Sequence, residues 1–218
     1  RSALTHFLMV RGFWDQRITY GDVAVQCGEA LGINARIAAI AHNVSIIHQQ
    51  RGNLEKAEEL YRRSLELEEK LGDQQGEAAT LHQLGMLAQG RGDYPEAEGL
   101  YRRSLEIEEK LGNQQGIAPS LHQLGMLAQD RRDYSEAEGL YRRSLEIKEK
   151  LGDQQGIAKT LHQLGMLAQG KGNNPEAEGL YHRSLEIKEK LGDQQGTANT
   201  LGQLGGSRLG PGRLLPGR

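Results

Sequence analysis

Residues 81–111 read LHQLGMLAQGRGDYPEAEGLYRRSLEIEEKL and contain two apolar patterns of helical period, separated by a turn. In the first pattern Leu81, Leu84, Gly85 and Ala88 recur at i, i+3, i+4 and i+7, which places them on one face of a helix. The second pattern has the same spacing, at Ala97, Leu100, Tyr101, Ser104 and Leu105. The stretch therefore predicts two consecutive helices, which we call helix A and helix B.

Capping residues mark where these helices begin and end. Asp93 is followed three residues later by Glu96, which is the pattern of a capping box at the start of helix B. Helix B ends at Leu111, because Gly112 can adopt the left-handed conformation that closes a helix, and Asn113 can cap the next helix A. Since the connections are short, we expect successive helices to be antiparallel neighbours.

The helix pair recurs along the chain every 40 residues, because LYRRSLE begins at 60, 100 and 140, and its variant LYHRSLE begins at 180. LHQLGMLAQ begins at Leu81, Leu121 and Leu161, and the diverged AHNVSIIHQ keeps this frame at Ala41. The frame predicts an eroded unit at 1–37, four full units at 38–77, 78–117, 118–157 and 158–197, a shortened helix at 198–205 and a disordered tail at 206–218.

The fold class follows from the repetition. Neither helix of a pair can bury its apolar face alone, so each pair must pack against the next. We therefore predict an all-α fold, an α-solenoid of antiparallel helix pairs. One long coiled coil is excluded because breaks that contain glycine recur every half unit.

The shortened last helix predicts a weak self-association. Its template is lost at Gly206, and the glycines and prolines that follow disfavour a helix, so we expect the helix to stop there. Without a complete terminal helix, the apolar face of the last helix B around Leu180, Tyr181 and Leu185 would be only partly covered. We expect weak self-association through this C-terminal end.

Composition excludes several classes of function. A net charge of −2 and a pI near 6.4 disfavour binding to nucleic acid or to anionic membranes. The single Cys27 cannot form an internal disulfide, and no apolar run is long enough to span a bilayer. The chain begins at Arg1 without a recognisable leader, so we expect a cytoplasmic segment of a longer protein. No nucleophile motif, phosphate-binding loop or zinc-protease helix appears, and we expect neither an enzyme nor a cofactor.

These residues resemble the tetratricopeptide repeat (TPR) family. In the unit that begins at Ala158, the small and large positions of the family match Leu161, Leu164, Gly165, Ala177 and Tyr181, and Ser184 stands where Ala is commoner. The 40-residue length and the Leu-Gly-Asp junction at 151–153 are similar to a subclass found in spindle-orientation G-protein-signalling adaptors and in bacterial TPR signalling proteins. The resemblance implies a TPR superhelix of about five units and a protein-protein interaction scaffold.

The resemblance also implies a binding site, because the A helices of this family line a concave groove. Four side chains of each A helix would point into the groove, away from helix B, and bind an extended or helical peptide. They are His42, Asn43, Ile46 and Gln49; His82, Gln83, Met86 and Gln89; His122, Gln123, Met126 and Gln129; and His162, Gln163, Met166 and Gln169. Because histidine titrates near neutrality, we expect binding to change between about pH 7.5 and 5.5.

Other interpretations of this pattern stay open. Nearly identical units would repeat any residue whether or not it is used, and the array could be a structural spacer or the sensor arm of a larger STAND-class signalling NTPase. A metal site at the His row is disfavoured, because equivalent side chains on parallel helices do not converge on one ion. The Arg pairs of helix B, with the acidic residues that follow them at Glu106 and Glu108, predict a solvated outer face.

Overall fold

Nine α-helices follow one another in the computed structural model, which describes residues 34–209 together with Ile18, Thr19, Gly21 and Val23. Over these residues the fold is all-α, without a strand, as the repeat predicts. The helices are α1 (Asn34–Gln50), α2 (Leu54–Leu71), α3 (Gln74–Gly90), α4 (Tyr94–Leu111), α5 (Gln114–Asp130), α6 (Tyr134–Leu151), α7 (Gln154–Gly170), α8 (Asn174–Leu191) and α9 (Gln194–Leu209). None of these described helices is apolar over a length that would cross a membrane.

The chain forms two compact units, unit 1 (Arg1–Leu111) and unit 2 (Gly112–Arg218). Within each unit, helices that are consecutive in sequence pack against each other. The odd-numbered helices are the A helices of the repeat and the even-numbered ones are the B helices. Because only residues 51–53 and 72–73 separate α1, α2 and α3, these helices must reverse direction at each connection. Each unit is therefore a solenoid stack of antiparallel helices.

The predicted capping explains most of the helix ends. Asp93 Oδ1 accepts a hydrogen bond from the Glu96 amide at 3.2 Å, and Gly72 and Gly112 have the left-handed φ of 69° and 68°. The A helices begin at the same kind of cap, since Asp73 Oδ1 accepts from the Gly76 amide at 3.0 Å. Asn53 and Asn113 are exceptions, because they stand at the N-caps of α2 and α5 but their side chains make no capping hydrogen bond. The cap predicted for Asn113 is therefore wrong.

Tyrosine residues over glycine residues organise the core of each unit. Tyr101 and Tyr141 are fully buried on their B helices. A Cβ atom built at Gly85 would lie 2.7 Å from the Tyr101 ring, and one at Gly125 would lie 2.7 Å from Tyr141. Only a residue without a side chain allows this approach between helix A and the ring. The tyrosine and the glycine three positions after the histidine are therefore one packing element.

The serine residues of the B helices also have a structural role. Ser64 Oγ donates to the Ala38 carbonyl at 2.7 Å, and Ser144 Oγ donates to the Ala118 carbonyl at 2.7 Å. Both serines are buried. A hydroxyl at this position thus joins helix B to the A helix of its own pair, which explains serine where the family more often has alanine.

The C-terminal helix differs from its prediction. Helix α9 continues through Gly206 to Leu209, so the predicted stop at Gly206 is wrong. A single glycine weakens a helix by about 1 kcal/mol but does not end it. The stronger signal is Pro211, because the residue before a proline is biased away from the helical conformation. Residues 210–218, and residues 1–17, 20, 22 and 24–33 of the predicted N-terminal unit, lie outside the described residues.

Candidate functional site

The predicted site residues lie on the A helices and form four rows, which differ in their contacts. The rows are defined by position in the repeat: the histidine row, the amide row (Asn43 and its equivalents), the thioether row (Ile46 and its equivalents) and the glutamine row (Gln49 and its equivalents). In unit 1 these rows are on α1 and α3, and in unit 2 they are on α5 and α7.

The histidine row packs on the buried tyrosines of the B helices. The ring centroids of His82 and Tyr101 are 5.3 Å apart, and those of His122 and Tyr141 are 5.4 Å apart. The prediction that these side chains point away from helix B is therefore wrong for histidine. The physical reason is that the imidazole follows the glycine face of helix A and completes the packing around the tyrosine ring.

The half-buried position of the histidines also changes their titration. Burial lowers the pKa of His42, and it lowers the pKa of His82 to about 4, of His122 to about 3 and of His162 to about 4. Desolvation disfavours the charged imidazolium, so these rings stay neutral through the physiological range. This burial argues against the pH response predicted between about pH 7.5 and 5.5, which stays a prediction.

A buried polar chain joins His42, His122 and His162 each to the next A helix of its unit. In unit 1, His42 Nδ1 is 2.8 Å from Thr80 Oγ1, and Thr80 Oγ1 donates to Glu68 Oε1 at 3.1 Å. Ser64 Oγ, which donates to the Ala38 carbonyl, also lies 2.8 Å from this carboxylate oxygen. Desolvation raises the pKa of Glu68, and its Oε2 is buried without a hydrogen-bond partner among the described residues. The spacing of residues did not predict this set of hydrogen bonds, because Glu68 lies among exposed acidic residues of helix B.

The corresponding chains of unit 2 contain lysine in place of glutamate. Lys148 Nζ donates to Thr160 Oγ1 at 2.9 Å, and Thr160 Oγ1 is 3.1 Å from His122 Nδ1. Lys188 Nζ donates to Thr200 Oγ1 at 2.8 Å in the same arrangement. Burial lowers the pKa of Lys148 to about 8 and also lowers that of Lys188. The apolar spacing of the repeat did not predict these buried lysines and threonines either.

The glutamine row is held by the same tyrosines. The Tyr101 hydroxyl donates to Gln89 Oε1 at 2.9 Å, and the Tyr141 hydroxyl donates to Gln129 Oε1 at 3.0 Å. Gln49 and Gln169 accept from their tyrosines at 3.0 and 2.9 Å. The amide oxygen of this row is therefore engaged within the fold, toward helix B, and not directed away from it.

The thioether row and the amide row remain at the surface of the A helices. Met86 is 37% exposed, whereas Ile46, Met126 and Met166 are partly buried beside the cores of their units. Asn43 is exposed and donates to the Ala39 carbonyl at 2.7 Å. The other members of the amide row, Gln83, Gln123 and Gln163, are half-buried.

Gln123 differs from the other members of the amide row by a missing hydrogen bond at a buried oxygen. Its Oε1 is buried and has no hydrogen-bond partner among the described residues. A buried acceptor without a donor costs about 1 to 3 kcal/mol. A ligand N–H group could satisfy this acceptor once the Gln123 side chain turns toward the surface.

The Arg residues of the B helices are engaged in ion pairs. Arg62 Nη2 contacts Glu58 and Glu96, each at 2.8 Å, and Arg91 contacts the same two carboxylates. The pair between Arg62 and Glu96 links α2 to α4, a contact that local charge spacing did not predict. The outer-face interpretation is wrong for Glu108, which is only 4% exposed because it occupies the same position in helix B as Glu68.

Metal binding finds no support in the described part of the chain. Within it, no group of three His, Cys, Asp or Glu side chains is arranged to hold an ion. The four histidines of the row each contact a different tyrosine.

Comparison with known structures finds similar helical repeat proteins. BtubC (BKLC) from P. vanneervenii matches with a TM-score of 0.68 and 19% identity, over 94% of this chain and 95% of that one. A putative kinesin light chain from Podosopora anserina with nearly identical TPR-like repeats matches with a TM-score of 0.60 and 20% identity, over 83% and 99%. The apo form of RapI matches with a TM-score of 0.79 and 18% identity, over 89% of this chain and 54% of that one. These similarities concern the fold.

The sequence profile of the tetratricopeptide repeat matches residues 36–110, 76–150 and 156–214. Comparison with curated protein sequences gives no match. The profile accounts for more than half of the chain and covers the helix pairs from α1 to α9. The chain therefore belongs to the tetratricopeptide repeat family, whose members are generally non-enzymatic scaffolds for protein interactions.

Proposed function

We propose that this chain binds an extended peptide segment of a protein partner on the exposed side of its A helices. The observation that carries the proposal is the unpartnered Gln123 Oε1, which stands in a row of amides beside a row of methionines. An extended peptide presents backbone N–H groups that can satisfy such an acceptor, and thioether side chains adapt to varied apolar surfaces.

The contacts narrow the proposed site to two of the four rows. The imidazoles of the histidine row and the amide oxygens of the glutamine row are used by the tyrosines of helix B. The amide and thioether rows are left for a partner, with the histidines forming the base of the face. The proposed site residues are thus Asn43, Ile46, Gln83 and Met86 in unit 1 and Gln123, Met126, Gln163 and Met166 in unit 2, and each unit presents its own set.

The charges of the B helices support a protein partner over nucleic acid. Arg62 and Arg142, which could otherwise contact phosphates, each pair with two glutamates. Binding to phosphate would have to break these pairs. We place the interaction in the cytoplasm as part of the same proposal, since the single Cys27 makes no internal disulfide.

The test is a peptide selection followed by substitution of the thioether row. The full chain is immobilised, peptides are selected from a random displayed library, and the affinity of the best binder is measured by calorimetry. Replacing Met86, Met126 and Met166 by Glu should abolish binding, because three carboxylates would be desolvated against the peptide. Circular dichroism should show the helices intact.

A matched control changes the same number of apolar residues at exposed positions elsewhere. Leu71, Leu111 and Leu151 end their B helices and are 44%, 44% and 43% exposed. Their replacement by Glu should leave the affinity unchanged. Met126 and Met166 are partly buried, so the triple variant could fail to fold, and the single variant Met86→Glu then replaces it. If Met86→Glu binds the peptide with unchanged affinity, the site is elsewhere, or these residues recur only because the repeat units are nearly identical.

A further inference from the structure

The A and B helices of the chain differ sharply in charge. Each of the four A helices α1, α3, α5 and α7 carries one acidic or basic residue, which is Arg36, Glu77, Asp130 or Lys159. Most of the other charged residues lie on the B helices. The exposed side of the A helices is therefore much less charged than the rest of the surface.

The face of unit 1 is the clearest case. On α3, the residues that remain outward of the core are Gln75, Ala79, His82, Gln83, Met86 and Gly90, and none of them is an acid, a lysine or an arginine. Glu77 is not part of this stripe, because it contacts Arg103 of α4 at 3.3 Å. His82 stays neutral because burial lowers its pKa to about 4. Helix α3 thus presents amide, thioether and methyl groups without a formal charge.

Helix α1 extends this neutral surface. It is joined to α3 by the contact of His42 Nδ1 with Thr80 Oγ1 at 2.8 Å. Its exposed positions in the same register include Ala35, Ala39 and Asn43, and its single charge, Arg36, is also exposed and lies at the edge of this surface in the first turn. The surface of α1 and α3, which we call the neutral face, thus spans two neighbouring A helices.

We propose that the neutral face selects a peptide segment without charged side chains, one rich in amide and aliphatic residues. This inference rests on the proposed function and specifies the chemistry of its ligand. A carboxylate or an ammonium group placed against the face would lose water without gaining an opposite charge, which is unfavourable. Amide side chains of the ligand can instead exchange hydrogen bonds with Asn43 and Gln83, and aliphatic side chains can contact Met86.

Unit 2 provides an internal contrast, since its A helices carry exposed charges. Lys159 of α7 is exposed at the position that Ala79 occupies in α3, two repeats earlier, and Asp130 is exposed at the end of α5. Substituting Ala79→Lys therefore introduces into unit 1 a charge that the repeat already tolerates. The variant should convert the neutral face into one that accepts an acidic residue.

The test uses the peptides selected with the full chain, restricted to those whose binding is lost in Met86→Glu. These peptides should be depleted in Asp, Glu, Lys and Arg relative to the library. Their affinity should change by less than about twofold between about 50 and about 500 mM NaCl, because Arg36 at the edge of the face is the one formal charge that a ligand there could pair with. With Ala79→Lys, a new selection should enrich Asp or Glu, and the affinity of those peptides should fall with salt.

The outcomes separate this inference from the proposed function. If peptides sensitive to Met86→Glu are enriched in one charge, or lose about tenfold in affinity over that salt range, the face binds peptides but the neutral selection is wrong. If no peptide is selected, or if none is sensitive to Met86→Glu, the proposed function itself fails and the inference fails with it.

Discussion

Unit 1 and unit 2 place opposite charges at one buried position of their B helices. Glu68 of unit 1 is 3% exposed and Lys148 of unit 2 is 6% exposed. Glu68 accepts from the threonine hydroxyl of the next A helix, whereas Lys148 donates to it. A hydroxyl can do both, so one packing arrangement accommodates either charge. The comparison teaches that the buried position is specified by its hydroxyl partner and not by the sign of its charge.

Unit 1 and unit 2 also differ at two equivalent positions in how well the residue suits its backbone conformation. Pro119 lies inside α5 of unit 2, where α3 of unit 1 has Ala79. Arg132 has a positive φ of 63°, where unit 1 has Gly92 with φ of 82°. In both cases unit 2 carries a residue that its local backbone disfavours. We therefore expect substitutions toward the residue of unit 1 to stabilise the chain.

The largest effect is expected for Pro119→Ala. Pro119 is exposed and cannot donate to the Gln115 carbonyl one turn earlier, so replacing it restores a helical hydrogen bond and should raise the free energy of unfolding by about 3 kcal/mol. Urea unfolding followed by circular dichroism measures the change. The reverse substitution Ala79→Pro should lower it by a similar amount, and equal stability of wild type and Pro119→Ala would refute this explanation.

A smaller gain, about 2 kcal/mol at pH 7, is expected for Lys148→Met, because it removes a buried charge. The folded pKa of Lys148, about 8, is below its ordinary value of 10.5, so the folded chain binds fewer protons than the unfolded chain between these values. The wild-type free energy of unfolding should therefore rise from about pH 8 to 10.5, and Lys148→Met should show a smaller rise.

Glu68→Gln tests the opposite charge in unit 1. Because burial raises the pKa of Glu68, its carboxylate destabilises the folded chain at neutral pH, and the free energy of unfolding falls as pH rises above 4.5. Glu68→Gln should reduce this fall and leave the alkaline rise unchanged. Unfolding curves at pH 4, 7 and about 10 distinguish the two variants, and identical pH profiles for both would contradict the comparison.

The smallest gain, about 1 kcal/mol, is expected for Arg132→Gly, because glycine adopts positive φ without the steric cost of a side chain. Thermal unfolding should show a higher midpoint. Gly92→Arg in unit 1 should lower the midpoint by a comparable amount. A midpoint that falls in Arg132→Gly would mean that the Arg132 side chain contributes more than its backbone costs.

The sequence predicted the helices well because their signals are local. Apolar spacing, the box formed by Asp93 with Glu96, and Gly112 each act within a few residues. The profile of the family and the observed helix pairs confirm the repeat and its fold class.

The site was predicted less well, because its contacts are tertiary. Periodicity placed His82 outside the apolar stripe, but the imidazole is long enough to reach the ring of Tyr101. Glu68 was grouped with its exposed acidic neighbours, since nothing within α2 shows that the next A helix covers it. Which rows take part in packing, and which remain accessible to a partner, depends on where the neighbouring helices lie.

The polar chain of unit 1 fixes which nitrogen of His42 carries hydrogen. When Glu68 is ionised, Thr80 donates its one hydroxyl proton to the carboxylate. His42 Nδ1 must then donate to Thr80, and Nε2 carries no hydrogen and is an acceptor. A proton gained by Glu68 on the oxygen that faces Thr80 would reverse each bond and leave Nε2 as the donor. The tautomer of His42 thus depends on the charge of Glu68, although the two side chains are not in contact. The nitrogen chemical shifts of His42 would reveal this change of tautomer, while the imidazole itself stays neutral.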